Sequence, residues 1–268
     1  MAYRSILVEL DHDHSAAVRI ALAADLADRF DALLIGYANV PILAPLVADA
    51  AFYDPAIVDQ LRRDAEARVG ELEAEFRHLA GNRRVEWRSA VGGFDADRAV
   101  MARAADLIIT ECPLPGVSPH VGDRGDLIGR AGRPVLVAGP ESGALRTETV
   151  LVAWKDTAEA RRAVRDAVPL LRLASDVLVL EVLERDAASD APADVAAFLS
   201  RHGIPARSAT RAREQKSTAA TIEAAAAEIG ANLVVAGAYG HSRMREWAFG
   251  GVTRELLESP RVHRLLAA

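Results

Sequence analysis

Three glycines near the C-terminus, in the segment GAYGHSRMREWAFGG, stand at a spacing suited to holding an anion. Two residues separate Gly237 from Gly240, and nine more separate Gly240 from Gly250. Glycines let backbone N–H groups approach ligand oxygens, and the start of a following helix favours negative charge. The flanking runs ANLVVAG and VTRELLE predict a buried strand before the loop and a short helix after it. The segment therefore predicts a phosphate-binding turn, and the alternative is a merely flexible connection.

Other residues with reactive side chains give weaker signals. The segment DHDH, from Asp11 to His14, contains residue types that bind metals, but it lies between a predicted strand and a helix, where such residues form turns and caps. We therefore predict no metal site. Cys112 has no CxxC partner, so we expect an inert thiol. The sequence contains no Gly-x-Ser-x-Gly elbow and no GxxxxGK[ST] motif, so we predict no catalytic residues.

The elements that would position the glycine loop occur twice in the chain. The run SILVELDHDHSAAVRIALAADL, beginning at Ser5, is matched by TVLVAWKDTAEARRAVRDAVPLL, beginning at Thr149, which is 144 residues later. Each run reads as a strand, a polar turn and an amphipathic helix, and each half continues with alternating helices and strands. This alternation predicts two repeated doubly wound α/β domains, each a five-stranded, mainly parallel sheet with helices on both faces.

We place the first domain, called the first half below, at residues 1–142 and the second half at residues 147–268. The turn-rich segment from Gly139 to Glu148 is the predicted linker. The longest predicted helix ends at Gly81, as a C-terminal glycine should. Its core-facing stripe is predicted to contain Ile57, Leu61, Ala65, Leu72 and Phe76.

Composition excludes several classes of partner. The chain has 268 residues and a formal net charge of -6, with a pI near 5.7, which argues against a nucleic-acid partner. No apolar run approaches the ~18 to 20 residues that span a bilayer. The N-terminus has no signal-peptide pattern, and a single cysteine fits a reducing compartment. We expect a cytoplasmic protein without a membrane partner.

With its repeat and its glycine spacing, the chain resembles the universal stress proteins, and in particular their tandem two-domain members. The family signature is a glycine, two residues, a glycine, nine residues, then a glycine followed by a small hydroxyl residue. This chain departs from it at Gly251, where the family has Ser or Thr, while Thr253 matches a further hydroxyl. The resemblance implies a Rossmann-like fold similar to adenine nucleotide alpha hydrolases, and ATP with Mg as a cofactor.

In nucleotide-binding members of that family, an acidic residue after the first strand holds the nucleoside, and the glycine loop surrounds the phosphates. Here Lys155 replaces that acid, and Asp156 is expected to cap the next helix with Thr157. A lysine cannot accept a hydrogen bond from a ribose hydroxyl. The site that the resemblance implies in the second half consists of Ala153, Lys155, Val182, Gly237, Gly240, His241, Arg243, Gly250, Gly251, Val252 and Thr253.

The first half departs from the pattern in the opposite way. It has acidic residues after its first strand, Asp11 and Asp13, but Glu111 aligns with Gly237 and Leu114 with Gly240. We therefore expect no phosphate site in the first half.

Several alternatives stay open within this interpretation. His241 and Arg243 either contact a phosphate or are solvated loop residues, and Trp247 and Phe249 are expected to pack against the protein rather than stack on a base. The leading hypothesis is a nucleotide-binding regulator of the stress response that assembles as a homodimer. The rival is an interaction module in which two degenerate halves form a pseudo-dimer. An adenylyl-transferring enzyme is disfavoured because no acid/base constellation is present.

Overall fold

The computed structural model describes most of the chain. It covers residues 2–10, 16–40, 42, 55–92, 100–111, 124–139, 145–183, 189–213, 217–238, 251–258 and 262–268.

Ten strands alternate with helices along the described residues. The strands of the first half are β1 Ser5–Leu10, β2 Leu33–Val40, β3 Val85–Val91, β4 Leu107–Glu111 and β5 Val135–Ala138. Those of the second half are β6 Thr149–Trp154, β7 Asp176–Leu183, β8 Ala206–Ala212, β9 Leu233–Gly237 and β10 His263–Ala267. The α-helices are α1 Ala16–Phe30, α2 Pro55–Ala80, α3 Arg124–Ala131, α4 Ala158–Leu171, α5 Ala191–Arg201, α6 Thr218–Glu228 and α7 Val252–Glu258, and a 3₁₀ turn spans Ala102–Ala104.

All ten strands form one sheet in the order β3-β2-β1-β4-β5-β10-β9-β6-β7-β8. Within each half every pair of neighbouring strands is parallel, as the β1 and β2 pair and the β6 and β7 pair illustrate. The two halves meet where β5 and β10 pair antiparallel, with Leu136 opposite Leu265. Each half thus repeats one five-stranded order, and the predicted doubly wound fold is confirmed.

Helices cover both faces of this sheet. Helices α1, α2, α4 and α5 contribute to the larger apolar core on one face. Helices α3, α6 and α7 contribute to a second core on the other face. In each half the two central strands, β1 with β4 and β6 with β9, are joined to helices on opposite faces, so their carboxyl ends form a topological switch point. Ligands of such sheets bind in the crevice at this point.

The long helix α2 is packed over only part of its length. It ends at Gly81, whose φ of 63° lies in the left-handed region, so the predicted C-terminal glycine is confirmed. Ala65, Leu72 and Phe76 of the predicted stripe are buried, but Ile57 is 51% exposed. The prediction that Ile57 faces the core was wrong, because periodicity continues along a helix beyond the last strand that can cover it.

The predicted linker is partly built into the core. Leu145 is fully buried and Thr147 is nearly so. On the same side, Tyr3 is buried and its hydroxyl donates to the main-chain oxygen of Asp166 in α4, at 2.6 Å, which ties the N-terminus to the second half. The connection therefore contributes packing as well as length.

His263 is buried where the two halves meet. Its Nδ1 accepts a hydrogen bond from the backbone N–H of Gly139, at 3.4 Å. A Cβ on Gly139 would lie 3.1 Å from the carbonyl carbon of Val262, so the backbones of the two halves approach closely here. Burial, with a smaller effect of the Arg264 charge, lowers the pKa of His263 from 6.5 to about 4.

We predict that His263 makes the protein less stable in acid. As pH falls below 6.5 the unfolded chain binds a proton that the folded state does not bind until about pH 4. The free energy of unfolding therefore loses up to about 3 kcal/mol from this residue between pH 6.5 and pH 4, and loses nothing above that window. The measurement is chemical denaturation across this pH range for the native protein and for His263→Asn.

Asparagine is the matched variant because its side-chain oxygen also accepts from Gly139 but does not titrate. Its baseline stability is expected to be lower, so the comparison concerns the pH dependence alone. Equal losses in both proteins between pH 6.5 and pH 4 would contradict the assignment.

Candidate functional site

The switch point of the second half lies at the carboxyl ends of β6 and β9. These strands pair directly, with Ala153 opposite Ala236. On the neighbouring strand, β7, Leu180 lies opposite Ala153, and Val182 follows two residues later. Ala153 and Ala236 are small, whereas Trp154, the last residue of β6, is buried in the core that α4 covers.

Gly237, the first glycine of the predicted loop, is required by the packing of α4. A Cβ at Gly237 would lie 2.5 Å from the backbone nitrogen of Ala160 and 2.8 Å from its Cα. Real Cβ atoms do not approach backbone so closely, so only glycine fits without moving the helix. This role does not involve a ligand.

Helix α4 begins at Ala158, three residues after the exposed Lys155. Thr157 is its N-cap, and the Thr157 hydroxyl accepts from the N–H of Ala160 at 3.3 Å. Asp156 forms an ion pair with Arg161 instead of capping the helix. Of the two expected caps, Thr157 is confirmed and Asp156 was wrong.

The predicted site residues fall into two described groups. Ala153 and Val182 are half-buried and Lys155 is exposed, all at the carboxyl ends of β6 and β7. The second group begins α7, where Gly251 is half-buried, Val252 is 37% exposed and Thr253 is 5% exposed. Gly240, His241, Arg243 and Gly250 lie outside the described residues, so their roles stay predictions. Trp247, Phe249 and Leu114 also lie outside them.

The equivalent crevice of the first half contains a buried polar cluster, formed by Glu9, Arg19, Thr110 and Glu111. The Thr110 hydroxyl donates to Oε2 of Glu9 at 2.7 Å. The guanidinium of Arg19 donates from Nε to the main-chain oxygen of Glu9 at 2.9 Å, and from Nη1 to Oε2 of Glu111 at 3.0 Å. The side chains of Arg19 and Glu111 are only 2% and 16% exposed, so this ion pair is largely withdrawn from water.

The second half has a small residue at each equivalent position. The offset of 144 residues between β1 and β6, which α1 and α4 share, pairs Glu9 with Ala153 and Arg19 with Ala163. The strand register pairs Thr110 with Ala236 and Glu111 with Gly237. The buried polar side chains of the first half are thus replaced by small residues in the second half, where Ala163 and Ala236 are buried and Gly237 packs against the backbone of α4.

Sequence reasoning missed Glu9 and Arg19 as members of this cluster. The signal was present, since a charged residue stands in each case where the matching position of the other half is alanine. What could not be read from the sequence was the partner of each charge, because Arg19 and Glu111 are 92 residues apart.

Within the described ranges, no group of three or more His, Cys, Asp or Glu side chains is placed to hold a metal ion. Cys112 and the segment from Asp11 to Ser15 lie outside those ranges. None of the described helices is long and apolar enough to cross a bilayer.

Comparison with known proteins identifies the fold. Neither a protein-family model nor a curated protein matches the chain. Among solved structures, a universal stress protein from Archaeoglobus fulgidus is 14% identical with a TM-score of 0.75, and the match covers 98% of this chain and 95% of that one. A Pseudomonas aeruginosa protein provisionally assigned to the universal stress proteins is 16% identical with a TM-score of 0.65, covering 99% and 93%.

A second Pseudomonas aeruginosa protein, of unknown function, is 16% identical with a TM-score of 0.64, covering 99% and 92% of the two chains. At these identities the likeness is one of fold. The matches extend over both halves, so the resemblance to tandem universal stress proteins is confirmed for the fold of the whole chain.

We predict that Gly237→Ala destabilises the protein by about 1 to 3 kcal/mol or more, because the added methyl group collides with the backbone of α4. Thermal or chemical denaturation measures the loss. The control is Gly70→Ala, at a helical position of α2 where a Cβ meets nothing within 4 Å, and we expect a gain of about 0.5 to 1 kcal/mol there. Unchanged stability of Gly237→Ala would refute the packing role.

We predict strong coupling between Arg19 and Glu111. Removing one partner leaves a largely buried charge, so Arg19→Met should cost about 3 to 5 kcal/mol. The double variant Arg19→Met with Glu111→Gln should lose less than the sum of the single losses, by roughly 0.5 to 3 kcal/mol. A double-mutant cycle by chemical denaturation measures this difference.

The exposed pair Arg207 and Asp176 is the matched control, with side chains 52% and 40% exposed. Its coupling should be about 1 kcal/mol or less, since water screens it. Additive losses at Arg19 and Glu111 would show that the two charges do not depend on each other.

Proposed function

We propose that this chain is a tandem universal stress protein that binds one adenine nucleotide, ATP with Mg²⁺, in the crevice of the second half. The observation that carries the proposal is the difference between the two crevices. Ala153 and Ala236 stand in the second half where Glu9 and Thr110 form a buried hydrogen bond in the first. A ligand can enter only a crevice that the protein does not itself fill.

The residues of the second half suit a phosphate-bearing ligand. Lys155 is exposed beside the end of β6 and carries a positive charge. An ammonium group donates hydrogen bonds and accepts none, so Lys155 fits phosphate oxygens rather than the ribose hydroxyls. We assign the phosphates to Lys155 and to the backbone of the glycine loop, with Gly240, Gly250 and Gly251 as its members. When bound, the nucleotide would bring its negatively charged phosphates and Mg²⁺, and the protein would supply hydrogen-bond donors to those phosphates.

The proposed role is regulation rather than rapid chemistry. Lys155 offers a donor for binding, and the described residues of the second half place no pair of groups beside it for acid and base catalysis. We place the protein in the cytoplasm, without a nucleic-acid or membrane partner. We also propose a homodimer, whose contacts would lie on helix surfaces or on the outer strands β3 and β8.

An interaction module without a nucleotide is the second candidate, and one observation favours it. The antiparallel pairing of β5 and β10 joins the halves as a dimer interface would, within one chain. Together with the filled first crevice, this arrangement fits a pseudo-dimer that presents its surface to another protein.

We predict that ATP raises the stability of the protein. A ligand present at ~100 times its dissociation constant adds roughly 2.7 kcal/mol to the free energy of unfolding. The measurement is the melting temperature with and without millimolar ATP and Mg²⁺. Gly240→Val should abolish the shift because it blocks the close approach of backbone to phosphate.

The matched control is Leu114→Val, at the aligned position of the first half, which should keep the full shift. No change of melting temperature in the native protein would exclude ATP and favour the interaction module. A shift that Gly240→Val retains would place the nucleotide elsewhere.

A further inference from the structure

Arg264 is a fully buried arginine in β10. Its guanidinium donates from Nε to the main-chain oxygen of Leu256 at 2.9 Å and from Nη1 to that of Val262 at 3.0 Å. Its Nη2 forms an ion pair with the carboxylate of Glu223. One side chain therefore connects β10 to helix α6, which contains Glu223, and to helix α7, which contains Leu256.

The bond to Leu256 acts on the end of α7. The last carbonyl groups of a helix lack partners within the helix, and they carry partial negative charge that a cation stabilises. Helix α7 has only seven residues, and a helix that short is not stable without contacts to the rest of the protein. Leu256 and Leu257 supply apolar contacts with the second core, and Arg264 supplies a fixed polar one.

The repeated fold does not require an arginine at this position. Arg264 lies opposite Val234, which lies opposite Leu151. In the first half the same ladder runs from Leu7 to Ile108 and on to Val135. A valine thus suffices where no glycine loop precedes the helix.

We propose that Arg264 is a positioning residue for the ligand site of the second half. By holding α7 against the sheet, it fixes the position of Gly251, which precedes the helix, and of Thr253 in its first turn. The claim that this order serves a nucleotide rests on the proposed function. The claim that Arg264 orders α7 does not.

The experiment replaces Arg264 by valine, the residue of the first half, and by lysine. Hydrogen–deuterium exchange of residues 251–258 is compared with that of β6 and β9 in the same samples. Arg264→Val should speed exchange in α7 by at least about tenfold and leave the central strands unchanged, since only local order is lost. Arg264→Lys should speed it less, because one ammonium keeps the charge beside Glu223 but cannot reproduce the guanidinium fork. If Arg264→Val fails to fold, Arg264→Lys decides alone.

Unchanged exchange in α7, or an equal increase in α7, β6 and β9, would overturn the positioning role. The dissociation constant of ATP should also rise in Arg264→Val. If the substitution leaves α7 in place for only a tenth of the time, the rise is about tenfold. If the native protein binds ATP and the variants bind it equally well, the link to the site is refuted while the proposed function stands. If the native protein does not bind ATP but α7 loosens selectively, the proposed function fails and the ordering of α7 by Arg264 stands.

Discussion

The antiparallel pairing of β5 with β10 is the constraint on which the rest of the structure depends. It turns two parallel five-stranded sheets into one sheet of ten strands and fixes the two switch points relative to each other. The close approach of Gly139 to Val262 and the buried acceptor on His263 show how tightly this seam is packed. Because β5 and β10 pair with each other, neither is an exposed edge of the sheet. The outer strands are β3 and β8.

On this common frame the two halves differ at the carboxyl ends of their central strands. In the first half, Glu111 requires more room than glycine, and it is held by Arg19 in an ion pair. In the second half, Gly237 lets α4 pack directly against β9, and Ala163 stands where the arginine would be. Burying one charge without its partner is costly, so Arg19 and Glu111 depend on each other. The difference between the crevices is therefore a matter of coupled residues rather than of one loop.

The repeat, the alternation of strands and helices and the end of α2 at Gly81 follow from local patterns, and the sequence predicted them. Gly81 ends α2 because a glycine tolerates the left-handed conformation, which is a property of the residue itself. The burial of Leu145 and the exposure of Ile57 depend on which elements reach them, and hydrophobic periodicity carries no such information. The partners of Arg19 and Arg264 were equally hidden, since each contact joins residues that are distant in sequence.

Gly237 shows why a motif and a site are separate conclusions. The backbone of Ala160 occupies the place that a side chain at residue 237 would need, which explains the glycine there. The presence of Gly237 in the motif is therefore no evidence for phosphate binding. The weight of the nucleotide proposal then moves to features that packing does not explain. Ala153 and Ala236 stand where Glu9 and Thr110 form a buried hydrogen bond in the first half, and Lys155 follows β6 as an exposed residue outside the core. The third feature is the buried Arg264 of β10, which stands where the first half has Val135. All three features belong to the second half.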